Sequence, residues 1–336
     1  MRKTLPWLIS LTACSLFTPS QAQPLAELAA VAAKKAPVVW YESSPSEQAD
    51  KVIAAFSKRY PDVKVRHTRL IGGNDLVARA VQEMQARGYT GDVLTDGADR
   101  LFQVHSRGYM EDVNWGSLRV PKSLTPTSYM MATAAAVYVV AWNTRKVSDA
   151  EAPSTWEQLL DPKWANRMGS WVRAGAFAQL AATQGPDTAR RQLERFIALK
   201  PMLFKSTFPL AQAVGAGEVD LGIGLYHATL PPMNAGAPIR MRALDVVPMH
   251  IIYSGVTRNA RNPEGARLLL SWLGSEEGAI AYENATGRGS PFVAQTKTAQ
   301  FIRGKTLSEW PPEQSAELAA LNEYYNKLME SVGAAR

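Results

Sequence analysis

The sequence has 336 residues, of which 46% are hydrophobic and 20% are charged, and its formal net charge is +7. This length suits two domains of ordinary size or one large one, and the composition excludes a disordered chain. The sequence contains no long basic run and no stripe of aromatic residues alternating with basic ones, which argues against nucleic-acid binding. The positive charge favours an anionic ligand or surface, although only weakly.

The N-terminus has the three parts of a secretory signal peptide. The basic start Met1–Lys3 precedes an apolar run from Leu5 to Phe17, and the small residues Ser20 and Ala22 follow. We therefore predict a signal peptide at residues 1–22 and export to the periplasm. The apolar run is shorter than the roughly 20 residues that span a membrane.

The only cysteine of the chain, Cys14, lies inside this segment. The string Leu11–Cys14 resembles a bacterial lipobox, and its use would anchor the protein to a lipid through Cys14. We favour cleavage after Ala22, because the apolar run continues past Cys14 and a suitable cleavage site follows it. An intramolecular disulfide is impossible in either case, so the folded chain must rely on its core.

Strands and helices alternate in the first hundred residues. The pattern predicts strands at Val38–Tyr41, Val63–His67 and Gly91–Thr95, and helices at Glu47–Arg59 and Asp75–Arg87. Such alternation is typical of parallel strands joined by crossover helices.

Ligands of such sheets bind at the carboxyl ends of the strands. Two of those ends carry polar or aromatic side chains, which we take as candidate ligand-binding residues: Tyr41, Ser43, Ser44, Thr95 and Asp96.

A second α/β region follows a long apolar strand at Ala134–Trp142. The patterns in this region predict further strands and helices in the order Met168–Val172 (strand), Ala176–Thr183 (helix), Asp187–Leu199 (helix), Val219–Gly224 (strand), Met249–Val256 (strand), Pro263–Leu273 (helix) and Pro312–Met329 (helix). The alternation predicts a second α/β lobe, covered at the end by an amphipathic helix.

Motifs of the common enzyme classes are missing from the sequence. It contains no G-x-S-x-G elbow, no H-E-x-x-H pair, no P-loop and no C-x-x-C. The four histidines (His67, His105, His227 and His250) are scattered without the spacing of metal ligands. We therefore predict a non-enzymatic protein that uses no cofactor, and we keep a secreted enzyme as a remote alternative.

An ordered series of segments carries a family resemblance. The series is Val38–Val65, Gly91–Val93, Ala141–Thr144, Thr155–Trp164, Gly175–Phe177, Gly217–Asp220 and Tyr253–Val256. In this order, and behind a signal peptide, the segments resemble the periplasmic solute-binding proteins of family 1, in the branch of the ferric-ion-binding proteins. The resemblance covers nearly all of the chain after residue 22.

The resemblance implies a type II periplasmic-binding-protein fold, in which two α/β lobes are joined by crossover strands and hold the ligand in the cleft between them. It places lobe one at 37–135 plus 250–300, and lobe two at 140–248 plus 305–333. It also implies a monomer that closes around its ligand by hinge motion and delivers it to the permease of an ABC importer in the inner membrane.

The segment Arg173, Ala174, Gly175 and Ala176 is a candidate anion site, because a strand leads there into the start of a helix. The first amides of a helix have no internal partner, and an arginine fork can bind a carboxylate or phosphate with two hydrogen bonds. In the ferric-binding proteins that it resembles, the matching stretch holds an anion beside the metal.

Tyr226 and His227 stand where the ferric-binding proteins carry two adjacent tyrosines. The second tyrosine is replaced here, and the positions of the other usual metal ligands fall near Ser44 and Gly97. Tyr226 would therefore be a metal ligand only if the protein binds ferric iron. Thr207 adds a hydroxyl donor to the candidate ligand-binding residues.

Two ligand classes stay open at this point. A small anion of the phosphonate, sugar phosphate or carboxylate type is favoured, because the anion site persists while the metal ligands are depleted. Ferric iron with a co-bound anion is the alternative, and the iron would then be the transported ligand rather than a cofactor.

Overall fold

The computed structural model describes residues 23–70, 75–330 and 333. The predictions of a signal peptide at 1–22 and of an anchor at Cys14 lie outside these residues. Among the helices that the structure describes, none is long and apolar enough to cross a membrane.

The described residues form ten strands and thirteen α-helices. The strands are β1 (Val38–Glu42), β2 (Val65–Arg69), β3 (Val93–Gly97), β4 (Met131–Asn143), β5 (Met168–Trp171), β6 (Met202–Phe204), β7 (Leu221–Leu225), β8 (Ile239–Arg242), β9 (Val246–Val256) and β10 (Thr306–Ser308). The helices are α1 (Gln23–Ala32), α2 (Ser46–Arg59), α3 (Asp75–Arg87), α4 (Ala98–His105), α5 (Trp156–Leu159), α6 (Gly175–Gln184), α7 (Pro186–Ala198), α8 (Thr207–Ala216), α9 (Tyr226–Asn234), α10 (Pro263–Leu273), α11 (Glu276–Thr286), α12 (Lys297–Phe301) and α13 (Ser315–Glu330).

The strand order is β2-β1-β3-β9-β4-β7-β5-β6, with β10 added on β9 and β8 added on β4. At one end of this order, β1 pairs in parallel with both β2 and β3. At the other end, β5 pairs in parallel with both β6 and β7. Two parallel α/β units therefore flank the antiparallel strands β4 and β9, as the alternating sequence pattern predicts.

The two antiparallel strands β4 and β9 pair directly with each other. Their register runs from Met131 opposite Ser254 to Val137 opposite Met249, with an irregularity between Ala132 and Ala134. We call this paired stretch the crossover ladder. Because each strand continues beyond it into a different parallel unit, the ladder connects the two halves of the molecule.

We call the half built on β1–β3 with α1–α4 and α10–α12 lobe one, and the half built on β5–β8 with α5–α9 and α13 lobe two. One large hydrophobic core belongs mainly to lobe one, and a second core and a smaller one belong to lobe two. In β4, Tyr138, Val140 and Trp142 enter the second core while Ala141 faces the smaller one. This is the two-residue alternation of a strand that is covered on both faces. The lobe boundaries by residue number stay a prediction.

Candidate functional site: the cleft between the lobes

A cleft of about 450 Å³ lies between the two lobes, and strands from both lobes end at it. Its floor belongs to the crossover ladder, and its walls come from the segments that follow β1 and β3 in lobe one and β5, β6 and β7 in lobe two. The lining residues are Glu42, Ser43, Pro45, Gln48, Arg69, Thr95, Asp96, Gly97, Ala136, Trp171, Lys205, Ser206, Thr207, Phe208, Leu225, His227, His250, Ile252, Tyr282, Thr286 and Arg288. Two open depressions of about 540 and 570 Å³ involve only lobe one. Because the cleft combines strand ends from both lobes, it is the candidate ligand site.

Three cationic side chains line the cleft: Arg69 and Arg288 from lobe one, and Lys205 from lobe two. The Arg69 Nε donates a hydrogen bond of 3.1 Å to the backbone oxygen of Ser43, and the Arg288 Nη1 donates one of 3.2 Å to the Ser44 hydroxyl. None of the three cations lies within 4.0 Å of a carboxylate oxygen of the described residues. Their charges are therefore not neutralised by direct ion pairs.

Glu42 and Asp96 are the two carboxylates that line the cleft. Glu42 is 2% exposed and accepts hydrogen bonds from the Tyr282 hydroxyl, at 3.0 Å, and from the backbone N–H of Ser44. Burial alone would raise the pKa of the Glu42 carboxyl, but the neighbouring His67, the Ser44 donors and the charge of Arg288 together hold the pKa below its ordinary value. The Glu42 carboxylate is therefore ionised and is held in place by these hydrogen bonds.

Asp96 differs from Glu42, because burial raises the pKa of its carboxyl against the opposing influence of Arg100 and the Gly97 N–H. The Asp96 Oδ1 accepts hydrogen bonds from the Gly97 N–H, at 2.7 Å, and from the Arg100 Nη1, at 3.3 Å. Part of the negative charge in the cleft is thus already paired with Arg100, which leaves the cations in excess.

The residues that follow β1 divide between the cleft and the core. Ser43 is exposed and lines the cleft, whereas Ser44 is buried and does not line it but bonds to the lining residues Glu42 and Arg288. Tyr41 is not a lining residue, and its hydroxyl donates 2.9 Å to Glu83 of α3. Because successive strand residues point to opposite faces, Tyr41 lies on the face away from Glu42.

Thr95 lines the cleft, but its hydroxyl belongs to a buried network. It accepts a hydrogen bond of 2.8 Å from the Trp40 Nε1 and shares one of 2.7 Å with Ser254, which in turn accepts one from Thr133. The side chain is 3% exposed. Thr95 therefore connects the wall of the cleft to the core of lobe one.

The predicted anion site at 173–176 does not line the cleft. Arg173 is exposed, with its guanidinium 5.3 Å from the ring centre of Trp171. The N–H of Ala174 donates a hydrogen bond of 2.8 Å to the Asn326 Oδ1 of α13. Gly175 lies so close to the Tyr138 hydroxyl that a side chain there would collide with it, and Ala176 is buried. One N–H at the start of α6 thus already has a partner from within the chain.

Tyr226 and His227 occupy the first turn of α9, but only His227 lines the cleft. The Tyr226 ring packs 4.8 Å from the ring of Phe301 in lobe one, and burial, with the charge of Glu283 adding to it, raises the pKa of the phenol. The described residues contain no group of three or more His, Cys, Asp and Glu side chains that could hold a metal ion. Nothing beside Tyr226 thus resembles a set of metal ligands of these four types.

His227 is 6% exposed, and its Nδ1 has no hydrogen-bond partner among the described residues. Burial, assisted by the charge of Arg288, lowers the pKa of the imidazole well below its ordinary value, so the ring is neutral. The end of α11 approaches His227 closely at Gly287, whose φ of +74° and missing side chain permit the contact. His227 therefore stands where lobe two meets lobe one.

Thr207 is buried and lines the cleft as the first residue of α8. The lining residues that sequence reasoning missed include Arg69, Trp171, Lys205, Phe208 and Arg288. Arg69 ends β2, so the rule that ligands bind at the carboxyl ends of parallel strands would have identified it. Arg288 follows a helix rather than a strand, and the sequence carries no signal for it.

Comparison with known proteins agrees with this geometry. The family profile described as "Bacterial extracellular solute-binding protein" matches residues 51–309. The major ferric iron-binding protein of Neisseria meningitidis is 26% identical over 209 residues, which are 58% of this chain and 62% of that relative. The chain thus matches somewhat less than two thirds of that relative's length.

Two solved structures have the same fold at low sequence identity. Iron-bound HitA from Pseudomonas aeruginosa has a TM-score of 0.69 at 18% identity, covering 86% of this chain and 99% of HitA. AfuA from Actinobacillus pleuropneumoniae, with exogenous fructose-6-phosphate bound, has a TM-score of 0.68 at 20% identity, covering 88% of this chain and 98% of AfuA.

The prediction of a type II periplasmic-binding-protein fold is confirmed by these likenesses, and the predicted resemblance to solute-binding proteins is confirmed by the family profile. The prediction that the chain is not an enzyme agrees with a family whose members bind solutes. The chain belongs to the bacterial extracellular solute-binding protein family.

Proposed function

We propose that this chain works in the periplasm as the monomeric substrate-binding component of an ABC importer, and that it captures a small anion of the phosphonate, sugar phosphate or carboxylate type. The observation that carries this proposal is the placement of Arg69, Lys205 and Arg288 around one cleft, from both lobes and without direct ion pairs to carboxylates of the described residues. The permease of the inner membrane would then receive the anion from the closed cleft.

Two helix N-termini add to the positive potential of the cleft. Helix α2 begins beside Pro45 with no side-chain cap, and Pro45 and Gln48 line the cleft. Helix α8 begins with Thr207 and Phe208, which also line it, and the Ser206 hydroxyl caps this helix by accepting a hydrogen bond of 3.4 Å from the Phe208 N–H. Unpaired amides and the helix dipole both favour an anion at such positions. We prefer the start of α8 beside Lys205 to the start of α6 as the anion site, because the first lines the cleft and the second does not.

The neutral His227 and the hydroxyl of Ser43 supply hydrogen-bond donors between these cations. Guanidinium groups bind phosphate and carboxylate oxygens with two parallel bonds, which fixes the orientation of the anion. Closure of the lobes would remove water from these contacts and strengthen them. Among the proteins of the same fold, AfuA holds fructose-6-phosphate, which supports the sugar phosphate class.

Ferric iron with a co-bound anion is the second candidate, because a relative at 26% identity is a ferric iron-binding protein and HitA was solved with iron bound. Tyr226 would have to ionise and leave its packing against Phe301, and its raised pKa opposes ionisation. We therefore favour the anion without iron.

A ligand screen tests the proposal. The protein without residues 1–22 is unfolded, freed of ligand and refolded, and its thermal unfolding is followed with phosphate, methylphosphonate, fructose-6-phosphate, succinate and ferric citrate. A ligand at 100 times its Kd adds about 2.7 kcal/mol to the free energy of unfolding. We expect at least one iron-free anion to raise Tm, and Arg288→Ala to reduce the rise by half or more. Arg303→Ala is the matched control, because it removes an exposed arginine that does not line the cleft. A rise with ferric citrate alone would contradict the proposal.

A further inference from the structure

The wall that lobe two contributes to the cleft is aromatic. Trp171 is the last residue of β5, and Phe208 is the second residue of α8, and both line the cleft. Phe208 is 43% exposed, although large hydrophobic side chains are normally buried when the fold needs them. Three other large hydrophobic residues of the described chain have comparable exposure, and none of them lines the cleft: Val31, Phe102 and Tyr324. The exposure of Phe208 thus coincides with the candidate ligand site.

Trp171 is held in a fixed orientation. Its indole N–H donates a hydrogen bond of 3.2 Å to the backbone oxygen of Lys205, and the guanidinium of Arg173 lies 5.3 Å from the ring centre. Arg173 is exposed and does not line the cleft, so it contacts the indole from outside the site. An aromatic ring that is already oriented loses little conformational entropy when a ligand packs on it.

Phe208 is similarly positioned by a neighbour. Its ring meets the neutral imidazole of His227 edge to face, with 5.9 Å between ring centres and an angle of 70°. Lobe one contributes one aromatic residue to the lining, Tyr282, but this residue is 1% exposed and its hydroxyl donates to Glu42. The exposed surface of the opposite wall comes instead from side chains such as Arg69 and Ser43, with Arg288 beside them. The cleft is therefore asymmetric, with two arginines on one side and two aromatic rings on the other.

The cleft is also larger than a bare oxyanion needs. Its volume of about 450 Å³ lies in the range that binds drug-sized ligands, and it would hold on the order of fifteen water molecules. An inorganic anion bound to the arginines would leave the aromatic wall in contact with water. An organic anion with a flat or apolar body would cover Trp171 and Phe208 and gain the free energy of apolar burial.

We propose that the solute of this protein is an organic anion whose ionised group is bound by the arginines of lobe one, and whose flat or apolar body packs on Trp171 and Phe208 of lobe two. This inference rests on the proposed function, because it requires that the cleft binds an anion. The two aromatic residues are specificity-determining residues, and Arg173 is a positioning residue for Trp171.

Two matched pairs of small anions test the inference: methylphosphonate against phenylphosphonate, and acetate against phenylacetate. Each is titrated by calorimetry into the ligand-free protein without residues 1–22, at a pH where all four are fully ionised. We expect the phenyl member of at least one pair to bind at least tenfold more tightly than its methyl partner, with quenching of tryptophan fluorescence. Equal affinities within both pairs would overturn the inference and leave the proposed function standing.

Phe208→Ala is the diagnostic variant, because an exposed side chain can be removed without damage to the core. We call the ratio of the affinity of the phenyl member to that of its methyl partner the phenyl preference. The variant is expected to reduce this ratio at least threefold and to leave the affinity of the methyl member unchanged. Phe102→Ala removes an equally exposed phenylalanine from α4, away from the cleft, and should change neither affinity. Trp171→Leu, which keeps an apolar side chain, should reduce the phenyl preference further and abolish the quenching. A phenyl preference that survives both Phe208→Ala and Trp171→Leu would refute the inference.

The same titrations distinguish failure of this inference from failure of the proposed function. Binding of ferric citrate, with no binding of either anion pair and none of the anions in the screen, would refute the proposed function and with it the inference. Tight binding of phosphate with no gain from a phenyl group would refute the inference alone.

Discussion

The Asn326 Oδ1 in α13 accepts a hydrogen bond of 2.8 Å from the backbone N–H of Ala174, the residue that precedes α6. The two residues are 152 positions apart in the sequence, so α13 supplies a cap to a helix that lies far from it in the sequence. A cap of this kind stabilises lobe two, and it removes one of the donors that would otherwise be open to an anion.

We predict that Asn326→Ala lowers the free energy of unfolding by about 1 kcal/mol, in the usual range for a lost helix cap. Urea unfolding of both proteins measures this difference. Asn326→Asp is the control, since it keeps the acceptor and places a negative charge at the helix start, where the dipole favours it. Equal stability of the alanine variant and the parent protein would show that the bond contributes nothing.

Replacement of Arg288 should show a graded loss of anion affinity. Arg288→Ala removes a charged hydrogen-bond donor of the cleft, and we expect Kd to rise about 10- to 100-fold. Arg288→Lys keeps the charge but not the planar fork, so its Kd should lie between those of the parent and the alanine variant. Calorimetry with the anion found in the screen measures all three, and equal affinities would contradict a role for Arg288.

Tyr226→Phe should leave anion binding unchanged, because the hydroxyl does not line the cleft and the ring packs against Phe301. We expect Kd for the iron-free anion within about twofold of the parent value, since the variant keeps the ring and removes only a hydroxyl that does not line the cleft. An iron protein would instead show a visible phenolate-to-iron band that disappears in this variant. Absorption spectra of both proteins with ferric citrate decide between the two outcomes.

Glu309 should make the protein less stable as the pH rises. Burial raises the pKa of its carboxyl above the ordinary value of 4.5, and its Oε2 has no hydrogen-bond partner among the described residues. A group with a raised folded pKa binds more protons when folded, so stability falls as the pH increases from 4.5 through that pKa. We expect Glu309→Gln to be more stable than the parent near neutral pH, with the gain shrinking below pH 4.5. Tm measured across this range checks the prediction, and a gain independent of pH would refute it.

Glu42 should have the opposite pH dependence, because the pKa of its carboxyl is lowered from 4.5 in the folded protein. The folded state binds fewer protons there, so the stabilisation is present above pH 4.5 and is lost as the pH falls toward the folded pKa. We expect Glu42→Gln to be less stable than the parent at neutral pH, and the deficit to shrink in acid. Urea unfolding at several pH values measures it, and a deficit that grows in acid would contradict this reasoning.

The sequence was most informative where periodicity and capping agree. The helices predicted at Asp75–Arg87 and Pro263–Leu273 have those bounds in the structure, and Asn262 caps the second helix just before the proline that begins it. The short edge strands β6, β8 and β10 were missed, because three or four residues carry too little pattern to be recognised. Helix α2 begins at Ser46, one residue before the predicted start at Glu47, and Pro45 precedes it.

The candidate site was harder to predict than the fold. Five of the twelve residues proposed as ligand-binding line the cleft: Ser43, Thr95, Asp96, Thr207 and His227. The start of α6 has the expected local structure, but the partner of its N–H comes from α13, and no local pattern reveals such a contact. Arg288 reaches the cleft only because α11 packs beside α2 in the folded lobe. Sequence periodicity assigns residues to helices and strands, but it does not show which residues from different elements lie close together in the cleft. That proximity depends on tertiary packing.

The crossover ladder limits how the receptor can move. Sliding one lobe along the other would break several backbone hydrogen bonds of the ladder at once, whereas a change in its twist keeps them. Ala136 and His250 are paired in the ladder and also line the floor of the cleft. If the lobes close around a solute in this cleft, as proposed, the floor would keep its shape and only the angle between the walls would adapt to the size of the solute.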